Sequence, residues 1–249
     1  MKEDILHNIE IIRNRITAVC KKTGRNPDEI RLLLATKTVS ADHIRIALEN
    51  GQMLIAENKV QELKEKYEDL KDIPHENHFI GHLQTNKIKD ILKYDVTCVQ
   101  SLDRLDLAEK LHQKLLAGNK TIEVLIQVNT SGEESKFGVH PTEAIELTRK
   151  LSELSTLKIK GLMTIGLFSA ETEKVRSCFQ ILKKLQQEII HENIPNVEMK
   201  ELSMGMSGDL ETAIEEGATI VRVGTAVFGA RIYPDSYYWN EENTEKNKE

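Results

Sequence analysis

A lysine at the end of a buried strand is a candidate nucleophile, and Lys37 holds such a place in RLLLATKTV (31–39). Leu32, Leu33, Leu34, Ala35 and Thr36 form an apolar run too short for an ordinary helix. This predicts a strand buried on both faces. Alternation sets Leu33, Ala35 and Lys37 on one face and Leu32, Leu34 and Thr36 on the other. Burial lowers a lysine pKa, and the neutral amine attacks carbonyl carbon; a lysine that has left the strand reaches into water instead.

A second cation, Arg222, lies in TIVRVG (219–224), where Ile220, Arg222 and Gly224 share one face and Val221 and Val223 the other. A buried arginine needs an acceptor, so Arg222 either serves a ligand or pairs with a carboxylate of another strand. Gly224 and Thr225 close that strand before the short turn Ala226–Phe228, a place where backbone N–H groups cradle phosphate. Ser203 and Ser207, flanking Met204, Gly205 and Met206, add hydroxyl donors from the neighbouring strand. Singly, such glycines are turn punctuation. A lysine, an arginine and a phosphate cradle around one cavity point to a phosphorylated aldehyde held as a Schiff base. Pyridoxal 5′-phosphate (PLP) and the sugar phosphate of a Schiff-base aldolase both fit that description.

The elements that position these residues follow from periodicity. Ile5, Ile9, Ile12, Ile16 and Val19 predict an amphipathic helix over residues 2–22. Ser40 is placed as the N-cap of a helix through Leu48, with Gly51 as its left-handed stop. Strands are expected at 53–56, 78–81, 95–101, 121–129, 157–165, 197–204 and 219–224. Helices are expected between them, with Pro141 opening one and a long one over 171–192. Eight strands alternating with eight helices imply a parallel sheet with right-handed crossovers. At 249 residues the fit is a single (β/α)8 TIM-type barrel with one extra N-terminal helix. A doubly wound sheet is less favoured, because no G-x-G-x-x-G follows the first strand. The barrel is assigned residues 1–233, and residues 234–249 are expected to be a polar, disordered tail.

Composition narrows the function. With 30% charged residues, a net charge of −6 and no basic stripe, nucleic-acid and anionic-membrane binding are disfavoured. Cys20, Cys98 and Cys178 lack metal-ligand spacing and suit a reducing compartment. No apolar h-region or membrane-length run is present, so a cytoplasmic protein is expected.

The segments LLLATKT, IAENKVQE, HFIGHLQTNK, VQSLDR, QVNTSGEESKFGV, GLMTIG and ELSMGMSGDLETAIEEGATIVRVGTAVFGAR resemble, in order, those of the pyridoxal phosphate homeostasis protein family. The resemblance spans roughly residues 5–232. It implies a PLP barrel similar to the N-terminal domain of alanine racemase, with the internal aldimine on Lys37. It implies further that Ser203, Gly224 and Thr225 hold the phosphate, with Met204 and Ser207 in the same loop. Asn58 would lie beside the ring and Arg222 would face the pyridine nitrogen. Ala56 stands where a glycine is usual before Glu-Asn, and Lys59 where an aromatic residue or arginine is common. A permanent cation at the ring nitrogen disfavours its protonation and weakens the ring as an electron sink.

The expected function is intracellular PLP homeostasis: storage, buffering or delivery of the cofactor without substantial catalysis. Apo PLP-dependent enzymes would be the recipients, and a monomer is expected. A racemase-like enzyme and a sugar-phosphate aldolase are the alternatives. Two-base racemisation needs a group on each face of the substrate. The racemase relatives take the second, a tyrosine, from a further domain that is not expected here. Tyr67, Tyr94, Tyr233, Tyr237 and Tyr238 fall in helices, before a strand or in the tail. His78 and His82 read as a strand-end pair rather than a zinc site, and Lys136 as a loop lysine that is either solvated or a second aldehyde acceptor.

Overall fold

A computed structural model describes residues 2–229. The expected tail, 234–249, lies outside the described residues. Eight parallel strands close into a barrel in sequence order. They are β1 (Arg31–Ala35), β2 (Leu54–Glu57), β3 (Glu76–Phe79), β4 (Val96–Leu102), β5 (Ile122–Gln127), β6 (Leu157–Met163), β7 (Val197–Ser203) and β8 (Ile220–Val223). Around them run α1 (Lys2–Thr23), α2 (Ala41–Glu49), α3 (Val60–Leu70), α4 (Ile88–Lys93), α5 (Leu105–Ala117), α6 (Ala144–Ser152), α7 (Thr172–His191), α8 (Leu210–Glu215) and α9 (Thr225–Phe228). Short 3-10 turns, including Pro141–Glu143, precede some of the helices.

The alternation within strands sorts the core into two layers. Leu33, Leu54, Ala56, Cys98, Leu125, Met163 and Ile220 fill the barrel interior. Leu32, Leu34, Ile55, Val221 and Val223 point outward and join the helices in the larger cluster. The parities read for β1 and β8 therefore hold in the fold. On α1 the stripe of Ile5, Ile9, Ile12, Ile16 and Val19 is buried, and Cys20 continues it. Among the described residues no helix is long and apolar enough to cross a membrane.

Several boundaries differ from the expected ones for local reasons. β1 stops at Ala35: Thr36 still donates its N–H to the Ala56 carbonyl of β2 at 2.9 Å, and the chain turns at Lys37 and Thr38. β3 covers Glu76–Phe79 rather than 78–81, and its register against β4 shifts between Asn77 and His78. Ser40 stands at the N-cap of α2 with extended backbone but makes no side-chain capping bond. Gly51 does adopt a positive φ of 87° at the end of that helix.

Candidate functional site

Parallel strands bring all their C-terminal ends to one mouth, and the expected ligand-facing residues fall on a single arc of it. Ser203 ends β7, Arg222 lies in β8, Gly224 and Thr225 follow β8, Lys37 follows β1 and Asn58 follows β2. The closed order makes β7, β8, β1 and β2 consecutive neighbours, since β1 pairs with both β8 and β2. Residues 203 and 37, remote in sequence, thus sit two strands apart.

Lys37 is half-buried in a tight turn. The residue after it, Thr38, has a φ of 65°, a strained conformation for a β-branched side chain. The residue before it, Thr36, is wholly buried, with its hydroxyl 2.6 Å from Glu57 Oε1 and 3.0 Å from the Ala56 carbonyl. Lys66 of α3 donates to the Thr36 carbonyl and to Glu57 Oε1, each at 2.8 Å, and also pairs with Glu62. Glu62 in turn accepts the Thr38 N–H at 3.0 and 3.1 Å. Burial pushes the Glu57 carboxyl up to about 7, Lys66 opposes that rise and Glu62 adds to it. Sequence reading passed over this group. Its signal was that Lys66 lies three residues after Leu63 and four before Leu70, on the apolar face of α3.

Arg222 is 6% exposed and donates from one terminal nitrogen to Ser203 Oγ and from the other to the Thr164 carbonyl, both at 2.8 Å. Burial draws its guanidinium down to about 10 while Asp209 opposes that fall, so it remains a cation near neutrality. Its acceptors are neutral oxygens, and Asp209 acts on it through space. Ser203 Oγ donates to Gln100 Oε1 at 2.6 Å, and Gln100 Nε2 lies 2.7 Å from His78 Nδ1. A hydrogen-bonded chain therefore crosses the interior from β8 through β7 and β4 to β3. Gln100 and Thr164 were missed, although Gln100 sits in the quoted VQSLDR segment on the inward parity. His78 is an interior member of this chain, whereas His82 stacks on Phe137 with ring centroids 3.9 Å apart.

At the β8 end, Gly224 is half-buried and Thr225 exposed, opening α9. A Cβ on Gly224 would meet the Ala35 carbonyl oxygen at 3.0 Å, so the backbone here lies directly against the end of β1. The leading N–H groups of such a turn have no partner within the helix. Ser207 is half-buried, and Met204 is fully buried and packs with the outer layer. Asn58 is half-buried, and its carbonyl lies so near Gly81 that a Cβ there would be 1.9 Å from it. The leading helix braces both loops of this end. Asn8 donates to the Val227 carbonyl at 3.0 Å, and Arg15 holds Glu211 at 2.7 and 2.9 Å and the Ser207 carbonyl at 3.0 Å.

Lys136 is not simply solvated. It pairs with Glu133 and donates to the Gly166 carbonyl at 2.9 Å, tying the loop after β5 to the loop after β6.

Fold and mouth together define a barrel of the racemase-domain class: the family model for the alanine racemase N-terminal domain matches residues 2–232. A pyridoxal phosphate homeostasis protein of Aquifex aeolicus is 45% identical over 222 residues, covering 89% of this chain and 96% of its relative. A solved protein from Bifidobacterium adolescentis, described as unknown, superposes with a TM-score of 0.86 at 38% identity, covering 91% of this chain and 95% of that one. PipY of Synechococcus elongatus PCC7942, solved with PLP bound, gives a TM-score of 0.77 at 30% identity, covering 88% of this chain and 100% of that one. The chain belongs to the pyridoxal phosphate homeostasis protein family.

Proposed function

We propose that this chain binds PLP at the barrel mouth through Lys37 and serves PLP homeostasis, holding the cofactor and passing it on. The residues present fit the group. An amine, a buried cation and a donor turn stripped of a Cβ lie on adjacent strands, as a phosphorylated pyridine aldehyde requires. When bound, PLP supplies an aldehyde that a neutral lysine amine captures reversibly as a carbon–nitrogen double bond, with one water released.

Each residue has a part in this reading. Lys37 is the capturing amine. The N–H groups at Gly224 and Thr225, with the Thr225 hydroxyl, hold the phosphate, and the loop of Met204 and Ser207 borders it. Ser203 reaches that end through Arg222, whose guanidinium it accepts. Arg222 faces the pyridine nitrogen and keeps it unprotonated, since a second positive charge beside a buried guanidinium is unfavourable. Asn58 flanks the ring.

The same arrangement favours a carrier over a catalyst. Among the described residues both tyrosines lie in the outer layer: Tyr67 donates to Asp95 and packs against Tyr94. Neither is placed as a second base opposite Lys37. The reading is of a cytoplasmic monomer that delivers PLP to apo enzymes and turns over little substrate itself.

The observation that carries the proposal is the contact of the β8 end with the Lys37 strand. Borohydride reduction of the PLP-loaded protein, followed by peptide mapping, is expected to place the pyridoxyl label on Lys37 and to lose it in Lys37→Ala. A label on Lys136 alone overturns the assignment. Incubation with L-alanine is expected to yield no appreciable D-isomer, and robust turnover that disappears in Lys37→Ala restores an enzyme.

A further inference from the structure

Lys37 sits between two residues that a single ion network holds from opposite sides. On its N-terminal side, Thr36 is fixed through its hydroxyl by Glu57 and through its carbonyl by Lys66. On its C-terminal side, the Thr38 N–H is fixed by both oxygens of Glu62. Lys66 joins the two halves by pairing with both carboxylates. The network lies outside the barrel wall: Glu57 follows Ala56, which is an interior residue, and Lys66 and Glu62 come from α3.

We infer that Glu57, Lys66 and Glu62 form a clamp that positions Lys37 for capture of the aldehyde, with Glu62 holding Thr38 in its left-handed conformation. The inference rests on the reading of Lys37 as the capturing amine. Its physical basis is the strain at Thr38. A β-branched residue at a φ of 65° persists only where its surroundings over-determine it. The charged acceptor on its N–H supplies that constraint, and hydrogen bonds to ionised groups are the stronger kind. Without it the turn relaxes, and the Lys37 backbone samples directions from which Nζ meets the aldehyde carbon less often. The condensation itself is unchanged: the nitrogen adds to the carbonyl carbon, the C=N bond forms and the oxygen leaves as water.

The charged and titratable surroundings of Glu57 are Lys66 and Glu62 from α3. Tyr67, Lys71, Asp72, His75, Tyr94 and Asp95 line the cavity of about 530 Å³ on the same side. One Glu57 oxygen and Asn77 Oδ1 are buried there without a hydrogen-bond partner in the protein. Glu62 reaches the Lys37 turn directly, so it is the residue to change.

The test separates positioning from simple support by using two ligands. PLP needs a correctly aimed Lys37, whereas pyridoxine 5′-phosphate, which has an alcohol in place of the aldehyde, needs only the ring and phosphate contacts. Glu62→Gln is expected to weaken PLP binding about tenfold, the size of one charge-assisted bond partly lost. Its affinity for pyridoxine 5′-phosphate should stay within about twofold of the wild type. Thr38→Gly keeps the N–H and adopts a φ of 65° without strain, so added to Glu62→Gln it should restore part of the lost PLP affinity, and no recovery in the double variant counts against the clamp. Equal losses for both ligands, or no loss for either, overturn the clamp while labelled Lys37 in the wild type leaves the site reading intact. Wild-type label elsewhere overturns both.

Discussion

The backbone of Gly224, at the end of β8, lies against the carbonyl of Ala35, at the end of β1: a Cβ on Gly224 would stand 3.0 Å from that oxygen. The turn that opens α9, proposed above to hold the phosphate, thus lies in direct contact with the strand that leads to Lys37.

Gly224→Ala tests that contact. The added Cβ would stand 3.0 Å from the Ala35 carbonyl oxygen, tighter than an ordinary contact. A small overpacking of this kind costs about 1–2 kcal/mol, read from urea unfolding. Affinity for PLP and for pyridoxine 5′-phosphate should fall together, because the phosphate contact is common to both. An unchanged phosphate-ligand affinity would remove Gly224 from the cradle.

Ser203→Ala breaks the chain between Arg222 and Gln100. Arg222 keeps the Thr164 carbonyl but loses an acceptor within a buried site, and Gln100 loses a donor. A buried polar group left unsatisfied costs about 1–3 kcal/mol, so destabilisation of about 2 kcal/mol is expected in the apo protein. The bound cofactor's visible spectrum should also change, as Arg222 is freed to reorient. Ser203→Thr, which keeps the hydroxyl, should preserve the spectrum better than Ser203→Ala.

Glu57 sets a pH dependence with a definite sign. Its folded value of about 7 lies above the ordinary 4.5, so the folded state binds more protons than the unfolded state between those values. The corresponding stability is fully present below pH 4.5 and is lost as pH rises through 7. Glu76 and Glu198, which ion pairs and hydrogen bonds hold down at about 2, act in the opposite sense and below this window. Melting temperatures of the wild type and Glu57→Gln at pH 5 and pH 8 should therefore differ in slope, with the wild type losing more on the way up. Parallel curves would show that Glu57 is not the group responsible.

Arg15→Ala probes the bracing by α1. The bidentate contact with Glu211 is partly exposed, with side chains 32% and 42% accessible, and solvent screening keeps its contribution near 1 kcal/mol. The larger consequence is expected at the loop after β7, where the Ser207 carbonyl loses its donor. Hydrogen exchange should quicken over that loop, with PLP affinity reduced several-fold. A loop as protected as in the wild type would confine Arg15 to a surface role.

The barrel and the outline of its mouth were legible in the order of residues alone. Apolar runs with a period of two and stripes with a period near four are local quantities, and eight alternating units leave few ways to close a parallel sheet. The parity of Ile220, Arg222 and Gly224 could be read for the same reason, as could the place of Lys37 at a strand end. The pairings came only with the folded chain. Ser203 meets Gln100 across 103 positions of chain, and Arg15 meets Glu211 across 196. Such partners depend on how the strands stagger as the barrel closes, which no local pattern records. Lys66 shows the boundary most clearly. In VQELKEKYEDL it is one charge among many, and only the docking of α3 against β2 turns it into the buried link between Glu57 and the turn that carries Lys37.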